Sequence, residues 1–257
     1  MNVLIPAAFA SWEPTLTATC ARCTLIRRAI VIAETASTQD ARETAEAASG
    51  TVVTAWRQTA GRGRFGRHWV DAAMMGVAVT FVVDSQPVER LALASAVAAA
   101  DACEAFLATR VGIKWPNDIV VAQRKLAGVL IEQRGTRAFI GIGLNVAHTH
   151  FDEELELRAT SLHMLGKSAD RLAVLSALIE ALDRALVATD EVLVDAFLAR
   201  DALRGSRALF STPEGPVEGE VRSIDPMRGL LVRTETGERF LPARSTSVAE
   251  WGGVRRR

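Results

Sequence analysis

Between Val111 and Val146 the chain runs through four short apolar segments, VGIKW, IVVA, KLAGVLIEQR and RAFIGIGLNV, separated only by a Pro-Asn-Asp turn, a few polar residues and a turn at Gly135. Parallel strands need a crossover of a dozen or more residues, and no such crossover fits between these segments. The spacing therefore predicts three or four neighbouring antiparallel strands, and the rest of the fold has to be built around that stretch of sheet.

Upstream, TVVTAW (51–56) is β-branched and reads as a strand, and GVAVTFVV (76–83) is an unbroken apolar run of buried-strand length. Before them, Ser37-Thr38 stand where helix caps belong and an Ala- and Glu-rich segment runs to Gly50, which predicts a helix over about 38–49. Residues 1–36 carry no strong period. After Pro87, the Ala- and Leu-rich stretch to Thr109 predicts one long helix, and Leu, Ile and Val at helical spacing over 169–203 predict two more. From about 206 to 251 short apolar pieces alternate with Gly and Pro, the pattern of a small β-barrel. The expected division is a catalytic or binding domain over 1–204 and a small domain over 205–257.

Thirty Lys plus Arg balance thirty Asp plus Glu, so a global positive field for nucleic acid or acidic membranes is absent and any affinity for anions has to be local. No apolar run reaches the roughly 18–20 residues of a membrane span, and the Met1–Ala10 stretch lacks the leading basic residues of a signal peptide. Three cysteines in 257 residues do not make a disulfide scaffold. Together these point to a cytoplasmic protein with no membrane partner.

Local anion affinity has an obvious seat. Residues 57–67 hold four arginines, Arg57, Arg62, Arg64 and Arg67, interleaved with Gly61, Gly63 and Gly66 and followed by Trp69, whose ring can stack a base. The spacing Gly61-x-Gly63-x-x-Gly66 matches a dinucleotide fingerprint, but that fingerprint opens a helix, and here the strand 76–83 follows instead. A second group is Lys114-Trp115-Pro116-Asn117-Asp118 with Lys125-Leu126-Ala127-Gly128. It brings an amide, a carboxylate and lysines to one end of adjacent strands, beside backbone that a glycine leaves open to an activated acyl or phosphoryl group. A third is Gly141-Ile142-Gly143-Leu144-Asn145, where two glycines in a strand mark a bulge or a close-lying ligand.

In this order, with Ser37-Thr38-Gln39 ahead of them, these motifs resemble biotin protein ligase over about residues 31–251. The resemblance implies an α/β (α+β) catalytic domain of mixed sheet and helices, like that of class II aminoacyl-tRNA synthetases, followed by a C-terminal SH3-like barrel. It implies ATP-dependent activation of biotin to biotinyl-5′-AMP and transfer to a lysine of a biotin carboxyl carrier domain, with Mg2+ accompanying ATP. The biotin-binding residues it implies are Ser37, Thr38, Gln39, Gln58, Gly61, Arg62, Arg64, Lys125, Gly128 and Gly141. The ATP-binding residues are Arg64, Arg67, Trp69, Asn117, Lys125 and Asn145. Lys125, Arg64, Arg67 and Asp118 are the expected catalytic residues: the cations neutralise the two anions being joined, and Asp118 helps to organise the metal or the incoming lysine. The glycine-arginine loop is expected to close as a lid that keeps water from the adenylate.

The sequence departs from the family pattern in two places. Gln39 stands where many relatives carry Asn, and Phe65 stands between two arginines of the loop. Relatives that act as repressors carry a DNA-binding domain of about sixty residues, and the residues before Ser37 leave no room for one, so no operator binding is expected. A homodimer through sheet edges is expected. Cys20 and Cys23 have the spacing of a redox or zinc pair but read as packing residues, and His148 and His150 read as exposed loop histidines. Two other functions stay open on sequence: a lipoate, octanoate or other acyl ligase on the same fold, and a single-stranded RNA-binding module.

Overall fold

The antiparallel run forms the heart of a seven-stranded sheet. In the computed structural model, which describes residues 7–66, 68–69 and 74–252, the elements follow in chain order. They begin with α1 (Trp12–Cys20), β1 (Arg28–Thr35), α2 (Arg42–Glu46), β2 (Thr51–Gln58), a hairpin of β3 (Gly61–Arg62) and β4 (His68–Trp69), β5 (Gly76–Asp84) and α3 (Val88–Glu104). Then come β6 (Gly112–Lys114), β7 (Asp118–Val121), β8 (Arg124–Arg134), β9 (Arg137–Asn145), α4 (Glu153–Glu156), α5 (Arg171–Val187) and α6 (Asp190–Leu198). The chain finishes with β10 (Arg207–Thr212), β11 (Gly215–Asp225), β12 (Gly229–Thr234), β13 (Gly237–Pro242) and β14 (Ser247–Trp251).

The sheet order is β1-β2-β5-β9-β8-β7-β6. Only β1 and β2 run parallel, so the sheet is mixed. β8 and β9 are joined at Gly135, whose φ of +61° suits a residue without a side chain. Their register sets Gly128 opposite Gly143 and Leu130 opposite Gly141. One face of the sheet is covered by α3, which packs on β8 and against α5 and α6. Its small residues Ala94, Ala96, Ala98, Ala99, Ala100 and Ala102 are all buried, and this lets the helix lie close to its neighbours. Pro87 caps α3 just before its first turn, as expected.

Three elements differ from the sequence reading. The helix expected over 38–49 shrinks to α2, because the Ser37–Asp40 segment turns into the site described below and Thr38 gives its N–H to Gln58 rather than to a helix. Residues 12–35, which carry no strong period, hold α1 and β1; α1 packs on β1 and α5 and buries Trp12, Leu16 and Cys20. Cys20 and Cys23 sit in this core, and burial pushes the Cys20 thiol up to about 11, with Cys23 and Asp183 adding to it. The C-terminal strands make an antiparallel sheet in the order β13-β12-β11-β10-β14 that is open rather than a closed barrel. β13 is six residues long and ends at Pro242, which has no N–H to offer a further strand. Among the described residues no helix is long and apolar enough to cross a membrane.

Candidate active site

The sheet carries a cleft of about 330 Å³ on the side away from α3, lined by residues from all three sequence motifs and by β14. Its floor is cleared by glycines on adjacent strands. A Cβ on Gly143 would overlap the Trp69 indole, one on Gly141 would overlap the Gln39 carboxamide, and one on Gly128 would stand 2.6 Å from Lys125 Cε and Nζ. Three side chains therefore lie flat against backbone, which is the close approach that strand glycines permit. Trp69 reaches this position because β4 pairs with β3 in register, Gly61 opposite Trp69 and Arg62 opposite His68.

At one end the polar groups are buried and held. Ser37, Thr38, Gln39 and Gln58 are all buried. Gln58 Oε1 accepts from the Thr38 N–H (2.9 Å) and from the Thr38 hydroxyl (3.2 Å), so the oxygen of that amide faces Thr38 and its NH2 is turned toward Gly61. Thr80 of β5, fully buried, donates to Thr38 Oγ1 at 2.9 Å and fixes the direction in which the Thr38 hydroxyl proton points. Gln39 Nε2 donates to the Phe139 carbonyl at 3.4 Å.

At the other end the groups are charged. Lys125 Nζ lies 2.6 Å from Asp118 Oδ1 and 5.6 Å from the centre of a Trp69 ring. Burial by itself would push the Asp118 carboxyl up. The ammonium groups of Lys125 and Lys114, together with Arg64, outweigh it and hold Asp118 below the usual carboxylate range, so it is an anion at neutral pH. Arg64 Nη1 donates to Asn117 Oδ1 at 3.4 Å, and the Asn117 amide donates to the Val129 carbonyl, so Asn117 ties the arginine loop to β8. Asn145 is also buried, with its NH2 given to the Thr160 (3.0 Å) and Lys125 (3.4 Å) carbonyls. Its donor holds the wall of the cleft, a role the resemblance does not imply.

The C-terminal sheet abuts this charged end. Trp115, buried beside the cis Trp115–Pro116 bond, donates its Nε1 hydrogen to the Pro226 carbonyl at 3.3 Å, and Lys114 Nζ lies 5.9 Å from the Trp251 ring. Ser247 to Trp251 line the cleft directly. His148 also differs from expectation: it is buried and stacks on Phe151 at 5.0 Å, whereas His150 is exposed.

The structure thus brings together Ser37, Thr38, Gln39, Gln58, Gly61, Arg62, Arg64, Trp69, Asn117, Asp118, Lys125, Gly128, Gly141 and Asn145 around one cleft; Arg67 lies outside the described residues. Arg62 does not point its charge at the cleft floor but pairs with Asp40 and Glu132. Thr80 and β14 belong to the site and are absent from the sequence reading, which has Gly143 in the Gly141–Asn145 motif without assigning it a site role. Gly143 had a signal in the second glycine of the Gly141-x-Gly143 pair, while Thr80 had none inside an apolar run. Among the described residues no cluster of three or more His, Cys, Asp or Glu could hold a metal.

Residues 30–146 match the model of the Biotin/lipoate A/B protein ligase family. The chain is 37% identical over 219 residues to a biotin--[acetyl-CoA-carboxylase] ligase of Mycobacterium tuberculosis, covering 77% of this chain and 80% of that one. It is 32% identical over 234 residues to the ligase of the same name from Paracoccus denitrificans, covering 83% and 97%. Among solved structures it is similar to a biotin protein ligase from Aquifex aeolicus in complex with biotin and ATP, with a TM-score of 0.78 and 27% identity over 86% of this chain and 98% of that one.

Proposed function

The chain belongs to the biotin/lipoate A/B protein ligase family, and on that premise we propose that it is an ATP- and Mg2+-dependent biotin–protein ligase acting on a biotin carboxyl carrier domain of a carboxylase. The observation that carries this reading is the single cleft whose two ends differ in chemistry. One end offers buried amides and hydroxyls around a glycine-cleared apolar floor, and the other gathers Lys125, Lys114 and Arg64 around Asp118. Biotin has a neutral polar ureido head, an apolar ring and a carboxylate tail, and ATP brings further negative charge to the tail. The gradient along the cleft matches the gradient along the two substrates.

In the first half-reaction a biotin carboxylate oxygen attacks the α-phosphorus of ATP and pyrophosphate leaves, giving biotinyl-5′-AMP. Two anions have to meet, and cations already held in place lower that barrier without reorganising. Lys125, positioned by Asp118, and Arg64, positioned by Asn117, are read in this role. Trp69 is read as the surface for adenine; Gln58, with its NH2 turned away from Thr38, as a donor to the ureido carbonyl; and Ser37, Thr38 and Gln39 as the rest of that pocket. Gly61 and Arg62 are read as covering it, and Gly128 and Gly141 as lying along the ring. In the second half-reaction the carrier lysine attacks the acyl carbon, AMP leaves with the bonding electrons, and the amine gives up a proton as the amide forms. No protein nucleophile is required, because the mixed anhydride is already activated and the enzyme's task is alignment. The donor set fits a Mg2+ that arrives on the triphosphate, with Asp118 the one carboxylate among the catalytic candidates and already paired to Lys125. That ion supplies charge neutralisation at the phosphates.

We read residues 1–204 as the catalytic domain and 205–257 as a separate small domain of SH3-like type. Its short strands and the register shifts at Leu209/Phe210 and Val221/Ser223, which let a small sheet curl, support that reading. A cytoplasmic location is supported by the ATP-dependent chemistry and the three free, buried cysteines. A homodimer through a sheet edge is supported by β1 standing outermost in the sheet order.

The test is pyrophosphate release from MgATP with biotin, lipoate and octanoate offered separately to the full chain, followed by label transfer to a carrier domain. Biotin-dependent release and transfer is the expected result. Turnover with lipoate or octanoate alone would overturn the substrate assignment while keeping the family.

A further inference from the structure

Among the described residues of the loop, Arg62 has its side chain engaged by two of the protein's own carboxylates. Its Nε and Nη2 meet Asp40 Oδ2 and Oδ1 at 2.7 and 2.8 Å, and its Nη1 and Nη2 meet Glu132 Oε1 and Oε2 at 2.8 and 3.0 Å. Nη2 donates a hydrogen bond to each carboxylate, and Nε and Nη1 stand in ion-pair contact with their second oxygens, so both edges of one planar guanidinium face an anion. Arg134 completes the cluster at 2.9 Å from Glu132 and 3.8 Å from Asp40. Isolated surface ion pairs contribute little, but two-pronged geometry within a network is the case in which they count.

The three linked segments each border the cleft, through Gln39, through Gly128 to Leu130, and through Arg62. Asp40 follows Gln39 directly, Glu132 lies on β8 beyond Gly128, and Arg62 lies on β3, whose partner strand carries Trp69 over Gly143. A hairpin of two residues per strand has too few backbone hydrogen bonds to hold itself down. Beside the clamp, what holds the hairpin is the Arg64–Asn117 hydrogen bond and the packing of the Trp69 ring on Gly143 and Lys125.

We propose that Asp40 and Glu132 are positioning residues for the ligase reaction: by gripping Arg62 from both sides they hold the β3–β4 hairpin, and Trp69 with it, over the cleft, and so set how long the activated acyl-adenylate is retained before the carrier lysine arrives. The inference rests on the ligase reading above. Asp40 and Glu132 touch no substrate and act only through Arg62, so their effects and that of Arg62 must not add.

The experiment uses the full chain loaded with biotin and radiolabelled MgATP, and follows free biotinyl-5′-AMP escaping through a filter in the absence of carrier. Asp40→Asn and Glu132→Gln are each expected to speed escape about threefold and the pair about tenfold. Arg62→Met should match the pair, and adding the pair to Arg62→Met should change nothing further. High salt should speed escape from the parent chain and leave Arg62→Met unaffected. A second arm needs no chemistry: amide hydrogen exchange at Arg62 and Trp69 in the ligand-free protein should quicken in the Asp40→Asn/Glu132→Gln pair while the melting temperature stays close to the parent. Unchanged exchange, unchanged escape, or an effect that multiplies on top of Arg62→Met would overturn the clamp. An absence of adenylate from the parent chain with normal exchange behaviour would overturn the ligase reading and leave the clamp standing.

Discussion

Replacing Gly143 with Ala tests whether Trp69 has to lie flat on β9 for the nucleotide to bind. The added Cβ would stand 2.6 and 2.7 Å from indole Cζ2 and Cδ2 and closer still to Cε2, distances at which something has to move. β9 is an interior strand paired on both sides, with Gly143 opposite Ala78 and Gly128, so the backbone cannot yield and the ring is displaced. Overpacking of this kind costs about 1–3 kcal/mol, and if that cost falls on the closed hairpin, apparent affinity for ATP falls by about 5-fold to 150-fold. The neighbouring change Gly141→Ala is the internal control, because its Cβ meets the far end of the Gln39 side chain, which can rotate away. Steady-state pyrophosphate release with ATP and biotin varied in turn reads both effects. Gly143→Ala should raise KM for ATP with little change for biotin, whereas Gly141→Ala should act on biotin and spare ATP. A Trp69→Ala change made on top of Gly143→Ala should add little. A folded Gly143→Ala protein with an unaltered KM for ATP would refute the reasoning, since the ring would then be dispensable where it lies.

Thr80→Val keeps the shape of the side chain but removes the hydroxyl that directs Thr38 toward Gln58. A buried hydrogen bond is worth about 1 kcal/mol, so KM for biotin should rise about fivefold, with kcat unchanged and Thr80→Ser close to the parent. Arg64→Gly removes the contact from the loop to Asn117, and the intermediate should escape to label lysines indiscriminately, read by mass spectrometry of a bystander protein; retained selectivity at normal rate would count against the lid role. Glu104 receives hydrogen bonds from Arg200 at 2.7 and 3.1 Å and from the Val111 N–H at 3.0 Å. Burial alone would raise its carboxyl, yet these partners outweigh it and hold it below the usual range. A depressed folded-state value means the stabilisation is present above the ordinary carboxylate pKa and is lost as pH falls through the folded one. Glu104→Gln should therefore cost about 1–3 kcal/mol at neutral pH. In thermal melts, its gap to the parent should close below about pH 4.

The run of strands from 111 to 146 was legible in the amino-acid sequence because the connections are too short for any other topology, and the structure has all four where the segments stand. The glycine-arginine loop, Lys114–Asp118, Lys125–Gly128 and Gly141–Asn145 were legible because their chemistry lies in local order: cations between glycines, an amide beside a carboxylate, glycines where a strand should be filled. What stayed hidden were elements with no local signature. Every residue of β1 is at least partly exposed, so it lacks the alternation that marks a one-sided strand. α1, with three threonines and a proline in nine residues, is a helix through its packing on β1 and α5 rather than through propensity.

Sequence by itself therefore determined the antiparallel half of the sheet, the order of the motifs and the kinds of group the site contains. Tertiary structure decided how those groups face one another. It set the Gln58 amide by Thr38 and Thr80, brought Asp40 and Glu132 from separate elements onto one guanidinium, and placed the C-terminal sheet against Trp115. The physical reason is that residue types and short spacings are properties of the chain, whereas hydrogen-bond direction and the pairing of distant charges depend on strand register and packing, which exist only once the chain has folded.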